Sequence, residues 1–561
     1  MKAFTEPLLS LAGFEEMTKT AEKSSGLISV TGCIDAQKSQ MIYAFGGHRK
    51  NKLIVTFGEQ KAKELYDEYS FFDKEVVYYP SKDVLFYQSD IRGNLLTAER
   101  IRALKAIREQ ERVTLVTTFD ALMNTMAPIE KMWENVLTLE QGQLLDLKEI
   151  QAALIRMGYE KEYQVQTMGQ FSVRGGILDV FPLTEENPIR IELWGDEIDT
   201  IRYFDCESQK SIENTDRVSI YPAAELVLSD EEKAGGIEKL KAEAKRVSDK
   251  LRKQMKTEEA HRVTVMADEL TEEWGELSMY AGMDAFLSYF FDERVGLLDY
   301  FNPSDSLIFF DELTRCAEQG KLTETEFSES MKQRLAMGYI LPGQMNGLFT
   351  EKEIVAKLEK YSCIALGALD NKANGLHQLG SYGIHCQSVS PYNNSFELLI
   401  KDLKRYKKNG YRVILLSGSR TRAKRLSEDI TDQGITCFYT ENYDHELFEG
   451  QIMVCYGKVR RGFEYPILKF AVITESDIFG AQQKKKKRHR TYEGEKIQSF
   501  TDLSVGDYVV HENHGLGIYR GIEKLEVDKK VKDYIKIEYQ GGSNLYILAT
   551  QLDMIDRKSV V

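Results

Sequence analysis

Four short apolar runs, separated by helix-period segments, constrain the fold of this chain more than any other feature. Leu27-Ile28-Ser29-Val30, Leu53-Ile54-Val55-Thr56-Phe57, Val76-Val77-Tyr78-Tyr79 and Val113-Thr114-Leu115-Val116-Thr117 are too short for buried helices and show little alternation of apolar with polar residues. A strand that is apolar on both faces must be covered on both. Segments such as 60–69 and 97–110, whose apolar residues recur at spacings of three and four, can supply the cover. This order predicts a parallel sheet with crossover helices.

After about Trp133 the pattern changes. Between Gly169 and Phe204, β-branched and aromatic runs are punctuated by Arg174-Gly175-Gly176, Asn187-Pro188 and Gly195-Asp196, which is hairpin chemistry for a small α+β insertion. Residues 229–276 are highly charged and helical, and 306–310 add another buried-strand run that returns to the first sheet. A second α/β unit begins near Ser390 with an amphipathic helix at 396–408 and strands near 413–416, 452–455 and 470–474. Beyond a basic run at 484–490, residues 504–555 read as about five short strands with Gly-rich turns, a small β-barrel. The expected division is 1–125 and 221–384 as two parts of one domain, 126–220 as its insertion, 385–480 as the second α/β domain, 481–500 as a linker and 501–557 as the barrel.

Composition limits the function classes. With 561 residues and about 150 per domain, several cores are expected, and a net charge of −14 argues against a surface coated with nucleic-acid contacts. Seven cysteines with no Cys-x-x-Cys predict neither a disulfide framework nor a zinc site. No apolar run approaches a membrane span of about 20 residues and no signal-peptide order opens the chain, so a soluble cytoplasmic protein is expected.

Gly32-Cys33-Ile34-Asp35-Ala36-Gln37-Lys38-Ser39 follows a strand and opens a helix, and it meets the phosphate-loop pattern except at one position. Gln37 stands where the second glycine should let backbone curl round the phosphates, and Asp35 adds a carboxylate to an anion-binding turn. The loop is expected to keep its topology without its ligand. Leu307-Ile308-Phe309-Phe310-Asp311-Glu312 ends as the magnesium-binding strand of helicase-type ATPases does. With the cradle damaged, Asp311 and Glu312 read as a solvated strand terminus.

The segment Gly169-Gln170-Phe171-Ser172-Val173-Arg174-Gly175-Gly176-Ile177-Leu178-Asp179-Val180-Phe181-Pro182, with Ile189-Arg190-Ile191-Glu192 and 196–202 after it, resembles the signature shared by the excision-repair protein UvrB and the transcription-repair coupling factors. The degenerate phosphate loop favours the coupling factors. Gly506-Asp507-Tyr508-Val509-Val510-His511-Glu512-Asn513-His514-Gly515-Leu516-Gly517 is similar to the start of their polymerase-interacting module, which CarD-type regulators share. The resemblance implies a degenerate helicase-like domain with an inserted UvrA-binding domain, and a Tudor-like barrel at the far end. It implies an adaptor that joins stalled RNA polymerase, through its β subunit, to UvrA. ATP and magnesium would belong to a second motor that this sequence does not contain, so no cofactor, metal or enzymatic activity is expected of the chain itself. The rival readings are a nucleotide-driven DNA-remodelling enzyme and a CarD-like regulator.

By the same resemblance, Arg174, Arg190 and Trp194 contact UvrA. The structural alternative pairs the arginines with Asp179 or Glu192 and places Trp194 in a local core. Leu525 matches a polymerase-contact residue, with Lys524 and Arg520 on the same strand, the alternative being Leu525 inside the barrel. His511 and His514 read as turn residues, and the basic run as a linker or a weak DNA contact. Residues 459–466 and 475–477 faintly resemble second-lobe helicase motifs, and the 385–480 unit reads as a spacer.

Overall fold

The computed structural model describes the chain apart from residues 46–48, 83–93, 277–282, 370–374, 481–494, 497–502, 504, 512–514, 528–529, 539–543, 549–554 and 558–561. The calls on the basic run 484–490 and on His514 lie outside the described residues.

Seven parallel strands form the first sheet, in the spatial order Gln378–Gly383, Gly26–Thr31, Ser362–Leu366, Ser306–Asp311, Asn51–Thr56, Val113–Thr118 and Val77–Tyr79. The continuous apolar runs are explained by two cores. Leu27, Leu53, Val55, Leu115, Ile308 and Phe310 face one, while their chain neighbours Ile28, Ile54, Val116, Leu307 and Phe309 face the other. Strands before and after the insertion therefore share one sheet. The sequence reading missed Ser362–Leu366, which lies between the strands carrying the phosphate-loop-like turn and the acidic pair. Its small residues Ser362, Cys363 and Ala365 carry a weak strand signal although all five positions are buried.

The charged stretch forms two helices, Asp230–Lys253 and Thr257–Glu276, that pack on each other. The first starts at a capping box, in which Ser229 accepts from the Glu232 amide and Glu232 accepts from the Ser229 amide.

The insertion holds its own six-stranded sheet, in the order Ser211–Thr215, Glu197–Phe204, Ile189–Trp194, Ile177–Val180, Gln170–Arg174 and Glu160–Lys161. One face packs on the helix Leu147–Arg156 through Phe171, Leu178, Ile191 and Ile201. The other face carries the charged residues.

The unit near 385–480 has six strands around Arg412–Ser417, flanked by the helices Phe396–Lys408 and Arg420–Asp432. It is more than a separate spacer. Val413, Leu415 and Ile473 fill a private core, but Ile414, Leu416, Met453 and Phe470 on the opposite face join the core of the first sheet. Phe71 meets Phe4 at 5.5 Å and Tyr443 at 5.7 Å, both edge to face. Such pairs contribute about 0.5–1.5 kcal/mol each beyond the area they bury.

Glu68 lies in the last turn of the helix Glu59–Tyr69 of the first domain at this junction, where Arg460 also pairs with Glu64 at 2.8 Å. Burial raises the Glu68 carboxyl to about 7, against the opposing pull of Arg460 and Lys61 and with a smaller push from Asp35. The folded chain holds this proton to about pH 7, whereas an unfolded carboxyl loses it near 4.5. The folded state therefore binds more protons across that window, and stability falls as pH rises through it, by roughly 3 kcal/mol at most. Melting temperature is expected to drop between pH 5 and 8, and Glu68→Gln to flatten the drop. A variant as pH-sensitive as its parent would assign the effect elsewhere.

At the C-terminal end, six strands pair antiparallel in the order Glu495–Lys496, Ile555–Arg557, Tyr508–His511, Gly515–Val527, Lys530–Glu538 and Asn544–Leu548. No pairing among the described residues joins the two end strands, and these residues make a six-stranded antiparallel sheet.

Candidate functional site

Three places in the fold carry the residues singled out in the sequence. The first lies at the carboxyl ends of the first sheet. The turn after Gly26–Thr31 leads into the helix Asp35–Phe45, and the strand Ser306–Asp311 delivers Asp311 and Glu312 to the same end of the sheet. Lys38 joins them. Its Nζ donates to Asp311 Oδ1 at 2.5 Å, Glu312 Oε1 at 2.9 Å and Asp35 Oδ1 at 3.2 Å, and the Lys38 and Asp311 side chains are each 1% exposed. Thr56 donates to the second Asp311 oxygen at 2.9 Å. Burial alone would lower the ammonium pKa, but Asp311 and Glu312 outweigh it and hold the group above its ordinary value. Asp311 is thus a buried ion-pair partner, not the solvated terminus expected. Glu312 sits at φ +57°, a left-handed conformation that is strained for a side-chain-bearing residue.

The residues do not fit a nucleotide and its magnesium. The Lys38 ammonium that would reach a phosphate is taken up by three carboxylates, and the Gly32 and Cys33 amides tie the turn to the carbonyls of Ala368 and Gly367 at 3.2 and 3.0 Å. Gly32 is needed for another reason: at φ +79°, a Cβ there would lie 2.1 Å from the Ile384 carbonyl oxygen. Gln37 is fully buried beside the Cys33 thiol, and neither its amide atoms nor the Ser39 hydroxyl reaches a partner within hydrogen-bond geometry. Asp35, exposed at the rim, pairs with Lys61 at 2.9 Å. What remains is an internal ion cage. Nothing in the linear pattern marked Thr56 or Lys61 as members.

The second place is the outer face of the inserted sheet. Arg190 and Asp179 are cross-strand neighbours, and Arg190 donates to both carboxylate oxygens at 2.7 and 2.8 Å and to Gln209 at 2.8 Å, with its guanidinium 4.3 Å from the Phe204 ring centre. Arg174 adds a bond to Asp179 at 2.7 Å. Asp179 is 1% exposed, and its hydrogen bonds to Arg190 hold that guanidinium's pKa above its ordinary value. The arginines are paired as the structural alternative held, but Trp194 is not in a core. It is 85% exposed beside a two-residue turn whose Gly195 takes φ +66°. Glu192, two residues before Trp194 on the same strand, pairs with Arg202.

The third place is the long hairpin of the C-terminal sheet. Gly515–Val527 pairs with Lys530–Glu538 from Ile518 to Val527, with a bulge between Tyr519 and Ile522, and with Tyr508–His511 from Gly515 to Ile518. Among the described strands, its other edge is open from Arg520 onward. Arg520 pairs with Glu538 at 2.6 Å. Lys524 and Leu525 lie on this strand opposite Asp533 and Lys532, and their side chains, like that of His511, lie outside the described residues.

The architecture defines the class: a parallel α/β body whose phosphate-loop-like turn has its lysine held in an ion cage, interrupted by a separate α+β domain. Residues 137–226 match the UvrB interaction domain family, and 503–559 match the CarD-like/TRCF RID domain family. The chain is 30% identical over 507 residues to the transcription-repair-coupling factor of Bacillus subtilis (strain 168), covering 90% of this chain and 42% of that protein. It is 29% identical over 542 residues to the factor of that name in Staphylococcus haemolyticus (strain JCSC1435), with coverages of 94% and 45%. It is 28% identical over 559 residues to that of Staphylococcus aureus (strain USA300), with coverages of 97% and 46%. The chain spans less than half the length of these relatives, and it corresponds to the N-terminal part of a bacterial transcription-repair-coupling factor. Among the described residues, no helix is long and apolar enough to cross a membrane.

Proposed function

We propose that this chain is the adaptor part of a transcription-repair coupling factor, holding RNA polymerase at one end and UvrA at the other. The observation that carries the reading is the presence of both interaction modules on one chain, at 137–226 and 503–559, behind a phosphate-loop-like turn whose lysine is already paired with carboxylates. UvrA meets the outer face of the inserted sheet, with exposed Trp194 as the anchor. The Asp179 pairs hold Arg174 and Arg190 in place, and indole and guanidinium groups of this kind dominate binding hot spots. The polymerase β subunit extends the C-terminal sheet along the open edge of Gly515–Val527, where unpaired backbone groups are available for strand addition. The C-terminal module closes as a Tudor-like barrel.

The test is a pull-down of the purified chain with UvrA and, separately, with the polymerase β subunit. Capture of neither would sink the adaptor reading. Leu525→Arg is expected to weaken polymerase binding without early melting, because a cation placed in an apolar interprotein pocket must be desolvated unpaired. A variant that unfolds, or binds like its parent, would count against Leu525 as a contact. No ATP turnover is expected from the chain alone or with DNA, and phosphate release that saturates with ATP would favour the enzyme reading instead.

A further inference from the structure

Leu144 is 74% exposed, in the short segment that leads into the helix Leu147–Arg156. One exposed leucine needs no explanation. Its position does. Leu144 bridges antiparallel to Glu197, with the Leu145 amide donating to the Asp196 carbonyl at 2.7 Å and the Ile198 amide to the Gln143 carbonyl at 2.9 Å. On its other side Glu197 pairs with Trp194. Residues directly opposite one another in antiparallel pairs project to the same face. Leu144, Glu197 and Trp194 therefore form one row across the sheet, with two highly exposed apolar side chains flanking an exposed carboxylate. No described cation pairs with Glu197, whose Oε1 lies 3.8 Å from where a Cβ on Gly142 would stand.

We propose that Leu144 and Trp194 are a two-point apolar clamp for UvrA, with Glu197 between them meeting a cation of the partner. This rests on the reading that the outer face of the inserted sheet binds UvrA, and it extends that surface past the edge of the hairpin. Two strand spacings separate the anchors by about 10 Å, so the partner offers two apolar recesses that far apart with a Lys or Arg between.

The measurement is the affinity of the full chain for a purified bacterial UvrA, with thermal melts as folding controls. Leu144 is largely exposed, so Leu144→Ala is expected to leave the melt unchanged while weakening binding about tenfold, and Trp194→Ala to weaken it about 30-fold or more. Glu197→Lys is expected to weaken binding at least as much as Leu144→Ala, most clearly at low salt. If Trp194→Ala loses binding while Leu144→Ala and Glu197→Lys keep it within about twofold, the clamp is wrong and the UvrA face stands. If the parent does not bind UvrA, both fail together; if it binds and no variant of the row alters binding, the clamp and the Trp194 anchor fail while UvrA binding by the chain stands.

Discussion

Lys38→Ala is expected to destabilise the first domain by about 3–5 kcal/mol, the range found when one partner of a buried ion pair is removed. The ammonium and the Asp311 carboxylate are both sealed from water, and the Thr56 hydroxyl that also reaches Asp311 cannot neutralise it. For a domain of this size the loss appears as a drop of on the order of 10 °C in the transition of that domain. Adding Asp311→Asn removes the stranded charge and is expected to recover part of the loss. In a working phosphate loop, the lysine would face ligand and solvent, and its removal would impair nucleotide binding with little effect on the fold. A Lys38→Ala chain that melts with its parent would therefore overturn the ion-cage description.

Arg174→Ala combined with Arg190→Ala is expected to cost a similar amount, about 3–5 kcal/mol, in the inserted domain. Asp179 would keep its charge, 1% exposed, with neither guanidinium left. Loss of UvrA binding in that double variant would thus not separate a contact from a collapse. Adding Asp179→Leu replaces the stranded carboxylate by an apolar group of similar size and is expected to restore most of the melting temperature. Binding measured in the restored triple variant then reports whether the arginines themselves touch the partner. If the double variant melts like its parent, the Arg174, Arg190 and Asp179 cluster does not support the sheet.

The restored triple variant and Trp194→Ala probe the face in complementary ways. Trp194 is so exposed that its removal leaves the fold intact, while the arginines are built into it. A partner that grips the indole and reads the charged row would lose affinity in both, and one that recognises only sheet shape would lose it in neither.

How much of this was legible beforehand depends on whether the deciding interaction is local. The runs at 27–30, 53–57 and 113–117 announced a sheet buried on both faces because two-sided burial removes alternation, a property of neighbours in sequence. The phosphate-loop defect was likewise local, since Gln37 replaces the glycine on which close backbone approach depends. Sequence therefore determined the parallel sheet, the hairpin chemistry of the insertion and the departure of the loop from the phosphate-loop pattern. It could not place Ser362–Leu366, whose small residues become a central strand only because larger side chains from both cores close over them. Nor could it show that Asp311 is buried against Lys38, 273 residues away, or that Asp179 neutralises Arg174 and Arg190 while Trp194 stays in water. Charge pairing and exposure depend on which strands become neighbours and which face is covered, so tertiary structure alone decided them.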